Sequence, residues 1–126
     1  MRILLVDDEE EFVATLAERL SLRGIEADWT TRPLEAVDMV GEKRYDVVLL
    51  DVKMPDVSGI NLKPKLQKVS PDLNFIFLTG HGSEEEFQAA SSETGSEYYL
   101  LKPLQIDELV AKIYAVAGGE EGADHD

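Results

Sequence analysis

Three aspartates, a threonine and a lysine stand out because each follows an apolar run. Asp7-Asp8 comes after Ile3-Leu4-Leu5-Val6, Asp51 after Val47-Val48-Leu49-Leu50, Thr79 after Phe75-Ile76-Phe77-Leu78, and Lys102 after Tyr98-Tyr99-Leu100-Leu101. Carboxylates brought close together repel and raise one another's pKa, so such a trio calls for a cation. Magnesium suits it, being a hard ion that takes oxygen ligands, keeps water and is usually shared with a phosphate. Lys102 adds a mobile positive charge and Thr79 a hydroxyl donor, a pairing fit for an oxyanion held beside a carboxylate. An aspartate so placed can attack phosphorus and form an aspartyl phosphate. Phosphoryl transfer needs mainly positioning and charge neutralisation, which metal, Lys102 and Thr79 would supply. Taken singly, each residue has an ordinary explanation: a turn or cap for the aspartates, a structural hydroxyl for Thr79, a common dipeptide for Lys102-Pro103. Their recurrence at consecutive run ends carries the reading.

The elements that must position these residues alternate between two kinds. Ile3 to Val6, Val47 to Leu50, Phe75 to Leu78 and Tyr98 to Leu101 read as strands, the first two as continuous apolar runs buried on both faces. Ile25, Ala27 and Trp29 alternate with Glu26, Asp28 and Thr30 as a further strand. Between them fall helical stripes: Phe12, Val13, Leu16 and Leu20 closed by Gly24, then Leu34, Val37 and Val40 after Pro33 and before Gly41. A third helix covers about Ile60 to Val69, where Pro64 predicts either a late start capped by Asn61 or a kink. Ser83 and Glu86 form a capping box for a short fourth helix ending near Glu93, and Ile106, Leu109, Val110 and Ile113 stripe the last one. Five β-α units with short connections give an α/β, doubly wound parallel sheet with helices on both faces. Ligands of such sheets sit beyond the strands' carboxyl ends, where Asp7, Asp8, Asp51, Thr79 and Lys102 fall.

Composition narrows the partners. The chain has 126 residues, enough for one domain, with 12 basic and 26 acidic side chains and a net charge of −14. That field disfavours direct contact with nucleic acid or an anionic membrane, and favours a cation or a basic protein surface. The absence of cysteine excludes disulfides and thiolate chemistry and fits a cytoplasmic setting. Neither a signal-peptide core nor an apolar run of membrane-spanning length is present. Residues 118–126 are acidic and Gly-rich, and read as a flexible tail or the start of a linker after a domain over residues 1–117.

The stretches Ile3-Leu4-Leu5-Val6-Asp7-Asp8, Val48-Leu49-Leu50-Asp51-Val52-Lys53-Met54-Pro55, Phe77-Leu78-Thr79-Gly80 and Tyr99-Leu100-Leu101-Lys102-Pro103 together resemble the receiver domain of two-component response regulators. The resemblance runs from Met1 to about Ala117 and implies a flavodoxin-like sheet of order 2-1-3-4-5. It implies that Asp51 takes a phosphoryl group from the phosphohistidine of a histidine kinase or phosphotransfer protein. Mg2+ would be held by Asp8, Asp51 and the backbone carbonyl of Lys53, with Asp7 acting through water. Thr79, Gly80 and Lys102 would contact the phosphoryl group, and Tyr99 would turn inward as Thr79 moves. The Lys102-Pro103 bond would be cis, and Lys53 and His81 would tune the lifetime of the aspartyl phosphate. A downstream output domain or target, and a phosphorylation-dependent dimer, belong to the same implication. The stretch Gln88 to Ser96 is more polar than usual for the family, on the face that normally carries output.

Two other readings share some of these residues. A haloacid-dehalogenase-type phosphatase also pairs an aspartate nucleophile with Thr and Lys, but wants an acid two residues later, where this chain has Lys53. A degenerate receiver acting only as a binding module would not need the full set of Asp8, Asp51, Thr79 and Lys102. A Rossmann nucleotide site is disfavoured because no Gly-x-Gly-x-x-Gly follows the first strand. Trp29 reads as a packed or half-exposed strand residue, His125 as part of the tail, and Glu9-Glu10-Glu11 as a solvated first helical turn favoured by the helix dipole.

Overall fold

The computed structural model describes residues 1–54, 57–80 and 99–117. In chain order the elements are β1 (Arg2–Val6), α1 (Glu10–Ser21), β2 (Glu26–Thr30), α2 (Pro33–Glu42), β3 (Val47–Asp51), α3 (Gly59–Val69), β4 (Asn74–Thr79), β5 (Tyr99–Leu101) and α4 (Ile106–Val116). The strands form one parallel sheet of order β2-β1-β3-β4-β5. The expected helix over Ser83 to Glu93, Tyr98, and the tail over residues 118–126 lie outside the described residues. No helix among the described residues is long and apolar enough to cross a membrane.

Strand residues point alternately to two faces, so an apolar run feeds two cores at once. Leu4, Val6, Val48, Leu50, Phe75 and Phe77 pack under α2 and α3 with Ala36, Val40, Leu62 and Leu66. Ile3, Leu5, Leu49, Ile76 and Leu78 pack on the other face with Val13, Leu16 and Leu20 of α1 and Leu109 and Ile113 of α4. Covering both faces explains why β1, β3 and β4 carry almost no polar residue before their carboxyl ends. Gly24, at φ +80, ends the first helix by letting the Ile25 N–H reach back to the Leu20 carbonyl.

Two local expectations are corrected. α3 starts at Gly59 rather than late at Asn61, because the Ser58 hydroxyl accepts from the Ile60 N–H and caps it. Pro64 sits within that helix on its exposed side, where water can serve the Ile60 carbonyl that loses a donor. α2 runs through Gly41 to Glu42, and its buried residues are Pro33, Ala36 and Val40, while Leu34 is exposed. Trp29 is partly exposed on β2, an edge strand, whereas Thr30 is buried beside the end of β1.

Candidate functional site

The register of the sheet brings the acidic residues together. Val6 of β1 pairs with Leu50 of β3, so Asp7 and Asp51, each one residue further on, emerge side by side. Asp7 is fully buried and Asp51 nearly so, while Asp8 is exposed. One carboxylate oxygen from each of Asp7, Asp8 and Asp51 lies within 4.8 Å of the others. Thr79 ends β4 opposite Leu101, so Lys102 leaves β5 toward the same crevice, tied by its N–H to the Thr79 carbonyl at 2.7 Å. Asp8, Glu9, Asp51, Lys53, Gly80, Lys102 and Pro103 line an open cleft of about 540 Å³ at this end of the sheet.

One ammonium serves several carboxylates here. Lys102 Nζ lies 2.7 Å from Asp7 Oδ2, 3.0 Å from Glu9 Oε1 and 3.7 Å from Asp51 Oδ2, and 4.6 Å from the centre of the Phe12 ring. Asp7 Oδ1 accepts from the Glu9 N–H at 2.9 Å, while buried Oδ2 has Lys102 as ionic partner without an aligned hydrogen bond. Asp51 Oδ1 accepts a long contact, 3.4 Å, from the Lys53 N–H. Burial pushes the Asp51 carboxyl up to about 7, the Asp7 charge adds to the rise, and Lys102 opposes it. Burial also raises Asp7, against the pull of Lys102. For Lys102, desolvation favours the neutral amine, but Asp7, Glu9 and Asp51 together outweigh it and raise its pKa.

This surplus of buried negative charge suits a hard divalent cation. Three converging carboxylates and an Asp7 oxygen with no aligned donor supply the oxygen chemistry such an ion takes. Thr79 is buried, its hydroxyl 3.5 Å from the Leu100 carbonyl oxygen, to which it donates. Tyr99 lies inside, stacked on Phe77 with ring centroids 5.0 Å apart. The Lys102-Pro103 bond is cis, as the resemblance implied. Lys53 is exposed at the cleft, and His81 lies outside the described residues.

Two residues at the site went unrecognised in the sequence. Glu9 reads as part of a solvated acidic run, yet it binds Lys102 through its side chain and Asp7 through its backbone. Its position two residues after Asp7, within one turn, was the available signal. Gly59 carries no side chain to draw notice in the sequence, yet a Cβ there would stand 3.0 Å from the Asp51 carbonyl carbon and 3.2 Å from Leu50 Cβ. Only a residue without a side chain lets α3 start this close to the end of β3.

A doubly wound sheet of order 2-1-3-4-5, with clustered aspartates, a threonine and a lysine at its carboxyl ends, is the architecture of response regulator receivers. The model of the response regulator receiver domain matches residues 3–114, and the chain belongs to that family. It is 34% identical over 116 residues to the response regulator MprA of Mycobacterium avium, covering 92% of this chain and 50% of that protein. The chain thus spans about half the length of the curated relatives it matches. A response regulator receiver domain protein from Clostridium thermocellum has the same fold, with TM-score 0.83, 30% identity, and coverage of 95% of this chain and 96% of that one. A response regulator from Burkholderia pseudomallei, determined with a phosphorylated aspartic acid, calcium and citrate, superposes with TM-score 0.78 at 26% identity, covering 98% of this chain and 72% of that one.

Proposed function

We propose that Asp51 is the phosphoacceptor of this receiver. The observation that carries the reading is the placing of Asp51: buried at the end of β3, within 4.8 Å of two other carboxylates and 3.7 Å from the Lys102 ammonium. An Asp51 carboxylate oxygen forms a bond to phosphorus as the P–N bond of a kinase or phosphotransfer-protein phosphohistidine breaks, its electron pair leaving with the imidazole nitrogen. Asp7, Asp8, Asp51 and the Lys53 carbonyl would hold Mg2+, which neutralises the carboxylates and the phosphoryl charge. Lys102 and the Thr79 hydroxyl, with Gly80 beside them, bind phosphoryl oxygens. Thr79 leaves the Leu100 carbonyl to do so, and its movement is read by Tyr99 on the neighbouring strand. The −14 charge suits a basic docking surface on the donor protein rather than nucleic acid or membrane.

The relatives' greater length supports residues 1–117 as a receiver module in a cytoplasmic two-component system, with an output domain or separate target downstream. Borohydride reduction of the labelled protein tests the acceptor, because an aspartyl phosphate becomes homoserine. Peptide sequencing is expected to place homoserine at position 51, and homoserine at position 7 or 8 instead would reassign the role.

A further inference from the structure

Glu9 stands in an acidic run that reads as a solvated helical turn, yet its carboxylate meets the Lys102 ammonium of the cleft. Lys102 Nζ sits 3.0 Å from Glu9 Oε1 and 3.7 Å from Asp51 Oδ2, so the ammonium lies nearer to Glu9 than to Asp51. We infer that Glu9 is a positioning residue, a latch that draws the Lys102 ammonium away from Asp51 and so slows phosphorylation. This inference rests on Asp51 being the acceptor. To touch a phosphoryl group on Asp51, Lys102 must move from the point where Asp7 and Glu9 now hold it at 2.7 and 3.0 Å. Asp7 is committed wherever a cation occupies the site, so Glu9 is the competitor left for the ammonium.

The contact has the strength of a latch rather than a lock. The Glu9 side chain is 63% exposed while that of Lys102 is 16% exposed, so water can take over the glutamate when the lysine departs. Half-solvated pairs of this kind contribute little net stability. The Glu9 side chain makes no capping bond to α1, although the residue stands at that helix's N-cap. Its bond to Asp7 Oδ1 comes from the backbone N–H, which a side-chain substitution leaves in place. The Phe12 ring, 4.6 Å from Nζ, keeps a resting place for the ammonium when Glu9 is changed.

The experiment measures the rate of labelling by acetyl phosphate at saturating magnesium, by quenched intact-mass spectrometry, for wild type, Glu9→Gln and Glu9→Asp. Both variants are expected to label threefold to fivefold faster, because aspartate keeps the charge but is one methylene too short to hold Nζ. The same Glu9→Gln change in a Lys102→Met background is expected to do nothing. In the metal-free protein, the 15N signal of the Lys102 ammonium should shift in both single variants, a readout independent of phosphorylation. Wild-type rates in both variants would overturn the latch, and so would a Glu9→Asp rate equal to wild type, which leaves simple charge repulsion. An acceleration that persists without Lys102 would also overturn it. A wild-type protein that takes no label at Asp51 would instead overturn the acceptor assignment on which the latch rests.

Discussion

Gly59 lies so close to Asp51 that a methyl group on its Cα would stand 3.0 Å from the Asp51 carbonyl carbon and closer still to the oxygen. Its N–H meanwhile bonds the Val52 carbonyl at 3.0 Å, fastening the start of α3 to the strand end that carries Asp51. Helical backbone tolerates alanine, so the cost of Gly59→Ala is steric. We expect about 1–3 kcal/mol of destabilisation in urea unfolding, typical of overpacking, together with slower labelling as the Asp51 backbone is displaced. Unchanged stability and labelling would mean that the close approach does not constrain Asp51.

The raised Asp51 pKa sets a pH dependence with a definite sign. Its carboxyl ionises near 7 in the folded protein against 3.8 ordinarily, so the folded state holds this proton more tightly than the unfolded chain does. This contribution favours folding at low pH and is lost as pH rises from about 4 to about 7. Asp51→Asn removes it. In metal-free buffer the variant should gain stability relative to wild type across that window, by on the order of 4 kcal/mol. A constant difference from pH 4 to pH 8 would contradict the shift.

Magnesium should reverse the strain that these carboxylates create. Binding to the folded form at ten times the dissociation constant stabilises by roughly 1.4 kcal/mol, or a few degrees in melting temperature. Sodium chloride at matched ionic strength is the control, because screening the −14 charge also stabilises. Asp8 is exposed, so Asp8→Asn should fold normally, melt higher without metal, and lose most of the magnesium-specific increment. Equal melting shifts with magnesium and matched salt would remove the metal site.

Lys53 is exposed at the cleft, and we expect it and His81, two residues after Thr79 in the sequence, to shield an aspartyl phosphate from water. Lys53→Ala and His81→Ala should each alter its decay several-fold, on the order of 1 kcal/mol in barrier. Decay at the wild-type rate in both variants would leave these residues without a part in hydrolysis.

Much of this site was legible because strands covered on both faces must be apolar until they end. Asp7, Asp51 and Thr79 break their runs where the sheet opens to solvent, and the parallel register lines up those breaks. Side-chain reach is not written in such a pattern. Glu9 looks like its neighbours Glu10 and Glu11, and only the fold, by bringing Lys102 across from β5, separates it from them. The exact start of α3 is less legible for a related reason: Pro64 argues for a late start, while the deciding features are the Ser58 hydroxyl and the missing side chain at Gly59. In α2 the larger Leu34 looked like core, but the face toward the sheet is set by Ala36 and Val40.

Asp51 alone is expected to accept the phosphoryl group. Wild type and Asp51→Asn, each incubated with acetyl phosphate and magnesium, can be compared by intact-mass spectrometry under mild acid. The wild type is expected to gain one phosphoryl group and the variant none, with Asp7, Asp8 and Lys102 still in place. A full adduct on Asp51→Asn would remove Asp51 from the acceptor role.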